Sequence, residues 1–125
     1  MERLSVASIL QLVVGLGLLN VWLVRPNSAT AYRGGAAANL REEFAVYGLP
    51  ASIFYLVGAL KISSAVALIA GVWVPALPVR VAAGVVAALM IGALLMHIKV
   101  HDPIKRAMPA TVMLVMTTTI VLLTP

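Results

Sequence analysis

Apolar residues run almost unbroken through four stretches, at positions 4–24, 50–74, 77–100 and 108–124, with short polar or proline-bearing breaks between them. A bilayer core of ~30 Å is crossed by about 20 helical residues, so each stretch is long enough to span. The breaks have physical causes. Arg25-Pro26-Asn27 stops the first stretch, Pro75 the second and Asp102-Pro103 the third, either because a charge resists burial or because proline ends a helical hydrogen-bond ladder. The pattern predicts an all-α, four-transmembrane-helix bundle forming a single membrane domain over residues 1–125. Hydrophobicity begins at Leu4 without a basic segment and cleavage site, which predicts a first span and not a removed signal peptide.

About 25 less apolar residues separate the first two spans. Arg33-Gly34-Gly35 reads as a hinge. Beyond it Ala36, Leu40, Phe44 and Tyr47 recur at helical spacing, Asn39 and Glu42 are spaced as a capping box, and Gly48 then Pro50 mark a helix stop and a helix start. A short amphipathic interfacial helix is expected here, with an ordinary extramembrane loop as the alternative. Ala59, Ser63, Ala67 and Gly71 in the second span, and Gly84, Ala88 and Gly92 in the third, form rows of small residues that let backbones approach closely. They are expected to pair these two helices, or else to join copies of the chain.

Composition sharpens the membrane reading. The chain is 62% hydrophobic and 10% charged, with a mean hydropathy of +1.07, more apolar than a water-soluble domain of 125 residues could bury. Absence of cysteine removes disulfides, thiolate metal sites and cysteine nucleophiles. The net charge of +5 is scattered over loops with no groove-reading element, which excludes nucleic acid as a partner. Arg3 and Arg80 lie on the side of the termini, and Arg25, Arg33, Arg41, Lys99, Lys105 and Arg106 on the other. Two against six predicts termini outside and the long loop in the cytoplasm. A bacterial-type inner membrane is the expected location.

Lys61 interrupts the second span near its middle, where a charge costs about 2.5–3.5 kcal/mol on insertion scales. Such residues usually face a bundle interior and a partner. Thr117, Thr118 and Thr119 reach a similar depth on the fourth helix, and Gln11 and Asn20 bracket it on the first; their polar atoms could solvate an ammonium. The alternative is a lysine that snorkels or fixes the packing. A second cluster, His97 to Pro103, closes the third span. A helix persisting to position 101 would place His97 and His101 on one face, a spacing suited to a metal or to an acid–base pair, though two histidines are a weak metal signal and no metal is predicted. Asp102, biased toward extended backbone by Pro103, could fold back onto a histidine. Glu42, Glu43, Arg33 and Arg41 fall on the same membrane side and would complete a polar mouth, or form a solvated loop. Met90, Met96, Met113 and Met116 read as gap-fillers.

Tyr47-Gly48-Leu49-Pro50, Val57-Gly58-Ala59-Leu60-Lys61, Ala67-Leu68-Ile69-Ala70-Gly71, Gly92-Ala93-Leu94-Leu95-Met96-His97 and His101-Asp102-Pro103 together resemble the DoxX-like family of small four-helix membrane proteins, best over residues 45–115. Many members carry a glutamate at the position of Lys61, so an acidic role there does not carry over; His97 and Asp102 match the family's His and Asp-Pro motif. The resemblance implies a four-helix bundle and an association with membrane redox systems. Two functions follow. One is an accessory subunit binding a quinone- or lipid-like molecule for a redox partner, with quinone the cofactor candidate and haem disfavoured. Its ligand set would be Lys61, His97, His101, Asn20, Gln11, Thr117, Thr118, Glu43 and Arg41. The other is a stand-alone enzyme performing an isomerisation or ring opening, with His97 as acid–base, Asp102 orienting it and Lys61 stabilising developing negative charge. Drug export is disfavoured because Glu2, Glu42, Glu43 and Asp102 all lie outside the spans.

Overall fold

The computed structural model describes residues 5–24, 34, 35 and 37–124. The Arg25-Pro26-Asn27 stop, Glu2, Arg3, Arg33 and Ala36 lie outside the described residues. The elements are α1 (Val6–Leu19), which runs into a π-helical turn at Asn20–Val24, then α2 (Leu40–Val46), α3 (Ala51–Ala70), α4 (Val79–Lys99) and α5 (Ile104–Leu123). Four segments are long and apolar enough to cross a membrane: Val6–Val24, Ala51–Ala70, Val79–Lys99 and Ile104–Leu123.

The helices close a ring. α1 packs on α3 and α5, and α4 packs on the same two. Successive helices run antiparallel, as α1 and α3 show: Gln11 meets Leu68 near one end and Trp22 meets Gly58 near the other. In the half away from α2 the spanning helices face one another with fully buried side chains, Val14, Leu68, Val86 and, from α5, Thr117 and Ile120. The outward faces are equally apolar, with Leu16, Val66, Val81, Val115 and Leu122 all exposed, as a lipid-facing surface requires.

Helix ends depart from the apolar runs where local chemistry outweighs hydropathy. α3 stops at Ala70 and tight turns carry the chain through Trp73 and Val74, so Pro75 is not what ends it. α5 begins at Ile104, four residues before its apolar run. Pro103 sits at the N-cap, and Arg106 is neutralised by Asp102 one turn back, so two cations enter the first turn of the helix without burial. Pro109 inside α5 removes the N–H that would otherwise bond the Lys105 carbonyl.

α2 is a helix of seven residues. The Asn39 side chain accepts from Glu42 N–H at 2.8 Å and its amide donates to the Glu42 carboxylate at 2.9 Å. At the other end Gly48 has φ +78°, Gly48 N–H reaches Ala45 O and Leu49 N–H reaches Phe44 O, both at 3.0 Å. This is the paired Schellman closure that favours glycine. Leu40 and Phe44 then pack with Trp22 over α3, so α2 lies across one end of the bundle.

The rows of small residues bring α3 and α4 together only at one end, where a Cβ on Gly71 would collide with Val79 of α4. Elsewhere Ala59, Ser63 and Ala88 are exposed, and apart from chain neighbours and the local backbone of α4 nothing lies within 4 Å of where a Cβ on Gly84 or Gly92 would stand. A longer close approach is between α1 and α3, on the adjacent face of α3 that carries Gly58, Ala65 and Leu68. A Cβ on Gly15 would stand 2.5 Å from Ile69 Cγ1 and 3.0 Å from the Ala65 carbonyl. Gly15→Leu is therefore expected to destabilise the bundle by about 1–3 kcal/mol, read as a lower unfolding midpoint in detergent, whereas Gly92→Ala should shift it by less than about 0.5 kcal/mol.

Candidate functional site

At the end of the bundle covered by α2, a cavity of about 420 Å³ opens between all the elements. Its walls are apolar for the most part: Leu18 and Val21 from the first span, Val57 from α3, Leu89, Met90 and Met96 from α4, and Met113 from α5. Three of the four expected gap-filling methionines thus line an open space. The volume falls within the range of small-molecule sites, which pair apolar walls with a few placed polar groups. Those groups are Lys61, His97, Glu43, Tyr47, Asn20 and Arg106.

His97 is positioned by the way α4 ends. The helix stops at Lys99; His101 N–H bonds Ile98 O at 3.1 Å and Asp102 N–H bonds His97 O at 2.9 Å, with His101 in the left-handed region at φ 57°. This second Schellman closure turns Asp102 back along the helix, so that Asp102 Oδ2 meets His97 Nδ1 at 2.7 Å. It also removes His101 from the site. The helix does not persist to position 101, so the two histidines share no face, and His101 is exposed. Among the described residues no group of three metal-ligating side chains forms.

Asp102 joins three parts of the chain. Oδ1 accepts from Gly35 N–H and from Arg106 Nη1, each at 2.9 Å, while Oδ2 takes His97; its side chain is 2% exposed. Burial pushes its pKa up, but the bonds from Gly35, His97 and Arg106 outweigh this and hold the carboxyl below the usual range. The ionised carboxylate has only acceptors, which places a proton on His97 Nδ1 and leaves Nε2 of the neutral ring as an acceptor. Glu43 makes a parallel arrangement. Its Oε2 accepts from Gly34 N–H and from the Tyr47 hydroxyl, both at 2.7 Å. Tyr47 in turn stands edge-on to His97 with ring centroids 5.9 Å apart, and Lys99 Nζ donates to the Tyr47 carbonyl at 2.7 Å, capping α2. The Gly34-Gly35 segment, read as a hinge, is thereby tied at two consecutive N–H groups. Glycine is required: Gly35 has φ +57°, and a Cβ on Gly34 would collide with the Tyr47 ring.

Lys61 lines the cavity from α3, and its Nζ lies 5.5 Å from the Trp22 ring centroid. Trp22 reaches inward from the π-helical turn and packs edge-on to Phe44, against Phe54 and over Gly58. Among the described residues Lys61 makes no hydrogen bond; the indole face lies beside the ammonium, and the Glu43 carboxylate, which lines the same cavity, acts on it electrostatically. The other polar groups of the spans lie elsewhere. Gln11 is buried and donates to Leu68 O at 3.0 Å, Thr117 donates to Met113 O and Leu114 O, and Thr118 is exposed. The helix carbonyls satisfy Gln11 and Thr117, so neither solvates Lys61. Arg41 faces outward over Tyr55. Trp22, Tyr47, Arg106 and the Gly34 and Gly35 amides were not apparent as site groups from their spacing.

Because folding depresses the Asp102 pKa, its contribution to stability is full above the unfolded value near 4 and is lost as pH falls through the folded value. The unfolding midpoint in detergent should be level from about pH 8 to 5 and drop below about pH 4, and Asp102→Asn should lower the plateau and flatten the acid limb.

The comparisons with known proteins bear on the whole constellation. No curated protein and no solved structure matches the chain. The pattern of the DoxX-like family matches residues 18–119, from the end of α1 through most of α5, with every cavity-lining residue inside it. The chain is an integral membrane protein and belongs to the DoxX-like family.

Proposed function

We propose that the cavity binds a lipophilic small molecule, quinone- or lipid-like, with an acceptor-bearing head, and that the protein serves as an accessory subunit of a membrane redox system. One observation carries the binding reading: the ammonium of Lys61 enters a largely apolar cavity at bundle depth beside an indole face, within electrostatic range of Glu43 but with no hydrogen bond among the described residues. A carbonyl or anionic head would supply the missing acceptor, and the methionine- and leucine-lined walls suit its hydrocarbon. Polar contacts from the α2 side would come from Tyr47 and His97. The redox association rests on the family, which makes it an analogy of fold. α2 sits at the membrane interface in this reading, in a bacterial-type inner membrane with both termini outside.

A second reading has its own support. His97 lines the cavity with Nδ1 held by Asp102, the arrangement of an oriented acid–base. Acting through Nε2, it would move a proton on a bound lipophilic substrate, with Lys61 stabilising developing negative charge, in an isomerisation or ring opening.

The chain contains tryptophan only at positions 22 and 73, so Trp73→Phe leaves Trp22 as the single reporter inside the cavity. A short-chain ubiquinone titrated into this variant in detergent should quench its fluorescence saturably. Lys61→Met should weaken the apparent affinity about tenfold or more, the loss of one charge-assisted hydrogen bond; unsaturable quenching, equal in both, would defeat the reading. His97→Gln should alter affinity if the protein only binds, and abolish turnover if it is an enzyme. Topology is separately testable, because the chain has no cysteine. A cysteine at Lys105 should resist an impermeant maleimide in intact cells, and one at Ser5 should react.

A further inference from the structure

A groove of about 380 Å³ shares Trp22 with the cavity and lies on the outward face of α3, where Tyr55 and Ala59 are exposed. Trp22, Phe54 and Ile62 line it, and Gly58 and Ala59 leave it unfilled because neither projects a side chain beyond a methyl. From Phe54 to Ile62 the groove follows about 12 Å of helix. At its α2 end stand Arg41 and Tyr55. The Arg41 guanidinium lies 5.8 Å over the Tyr55 ring, and Nη1 donates to the Tyr55 hydroxyl at 3.4 Å. Tyr55 is 59% exposed, and no carboxylate pairs with Arg41 among the described residues.

An unneutralised guanidinium over an aromatic ring, one turn inside the start of a spanning helix, sits where lipid phosphates and interfacial aromatic residues gather. The apolar channel runs from there toward the bilayer interior, as a lipid does. We propose that this groove is a binding site for one anionic phospholipid, its phosphate on Arg41 and the Tyr55 hydroxyl and one acyl chain along Trp22, Gly58, Ala59 and Ile62. Charge decides against a second copy of the chain as the occupant. A two-fold contact centred on the groove would bring two Arg41 side chains together, and the groove has no acid to offset them.

The site is tested by native mass spectrometry of the full-length protein in mild detergent, mixed with equal amounts of phosphatidylglycerol and phosphatidylcholine of the same chains. One phosphatidylglycerol should be retained per chain, preferred about fivefold, the factor one arginine supplies near an anionic headgroup. Arg41→Gln should remove the preference, and Ala59→Phe, which fills the groove, should reduce retention of both lipids. Lys105→Gln should leave the preference intact. Both tested positions are exposed, and an unchanged unfolding midpoint confirms that each variant folds. Added inorganic phosphate should not displace the lipid. The proposal is overturned if the two lipids are retained equally, if Arg41→Gln keeps the preference, if phosphate alone competes, or if the groove proves to hold a second copy, seen as a dimer that Ala59→Phe dissociates.

Discussion

A single buried carboxylate organises the functional end of this protein. Taking the charge of Asp102 out of water is unfavourable unless it is fully hydrogen-bonded, and three donors from three parts of the chain meet that demand: the imidazole at the end of α4, the guanidinium in the first turn of α5, and the Gly35 amide in the long connection. Charge-assisted bonds of this kind are about twice as strong as neutral ones. The geometry of the α4–α5 corner, the start of α5 before its apolar run, the orientation of His97 and the seating of the Gly34-Gly35 segment all follow from where this group lies. Glu43 repeats the logic from α2, holding the neighbouring amide and the Tyr47 hydroxyl. The covered end of the bundle is therefore polar and tightly specified, while the rest is held by packing and, between α1 and α3, the bond from Gln11 to the Leu68 carbonyl.

That division explains where the space is. Below the covered end the four helices converge on small and branched side chains, Val14, Ala65, Ala83 and Val86, with no exposure at all. Toward α2 the first span widens into its π-helical turn and α5 carries Pro109 on the cavity wall. Wider turns of this type recur at functional positions. The cavity forms where regular helix packing is interrupted, and Lys61 is the charge that the interruption admits to the interior.

Much of this was legible in the chain. Hydropathy marked four spans because nothing else in a 125-residue sequence requires four such runs, and the signals around α2, Asn39 with Glu42 and then Gly48, act within a few residues and so appear in the sequence as written. The return of Asp102 onto His97 was visible for the same reason, being a contact of five positions. The pairing of His97 with His101 failed because it assumed one more turn of helix, where the chain instead enters the left-handed region. The rows of small residues showed that α3 could be approached closely but not by which helix or on which face; Gly15 and Gly58 settled that, opposite residues far away in sequence. Gln11 and Thr117 look like free polar groups in an apolar run, yet each is spent on a carbonyl. The Gly34 and Gly35 donors are backbone atoms, which carry no sequence signature.

Trp22 is shared between two compartments. Its indole lines the interior cavity beside Lys61 and also the outer groove that Arg41 borders, and Gly58 lets it lie directly against the α3 backbone. A ring in that position is a wall of both compartments. Any molecule that displaces it inward or outward changes the volume available to an occupant across the wall, and such an influence is mutual, since a coupling free energy between two sites has one value whichever is filled first. Bilayer composition and cavity occupancy would then be two variables of a single equilibrium, read through the position of one side chain.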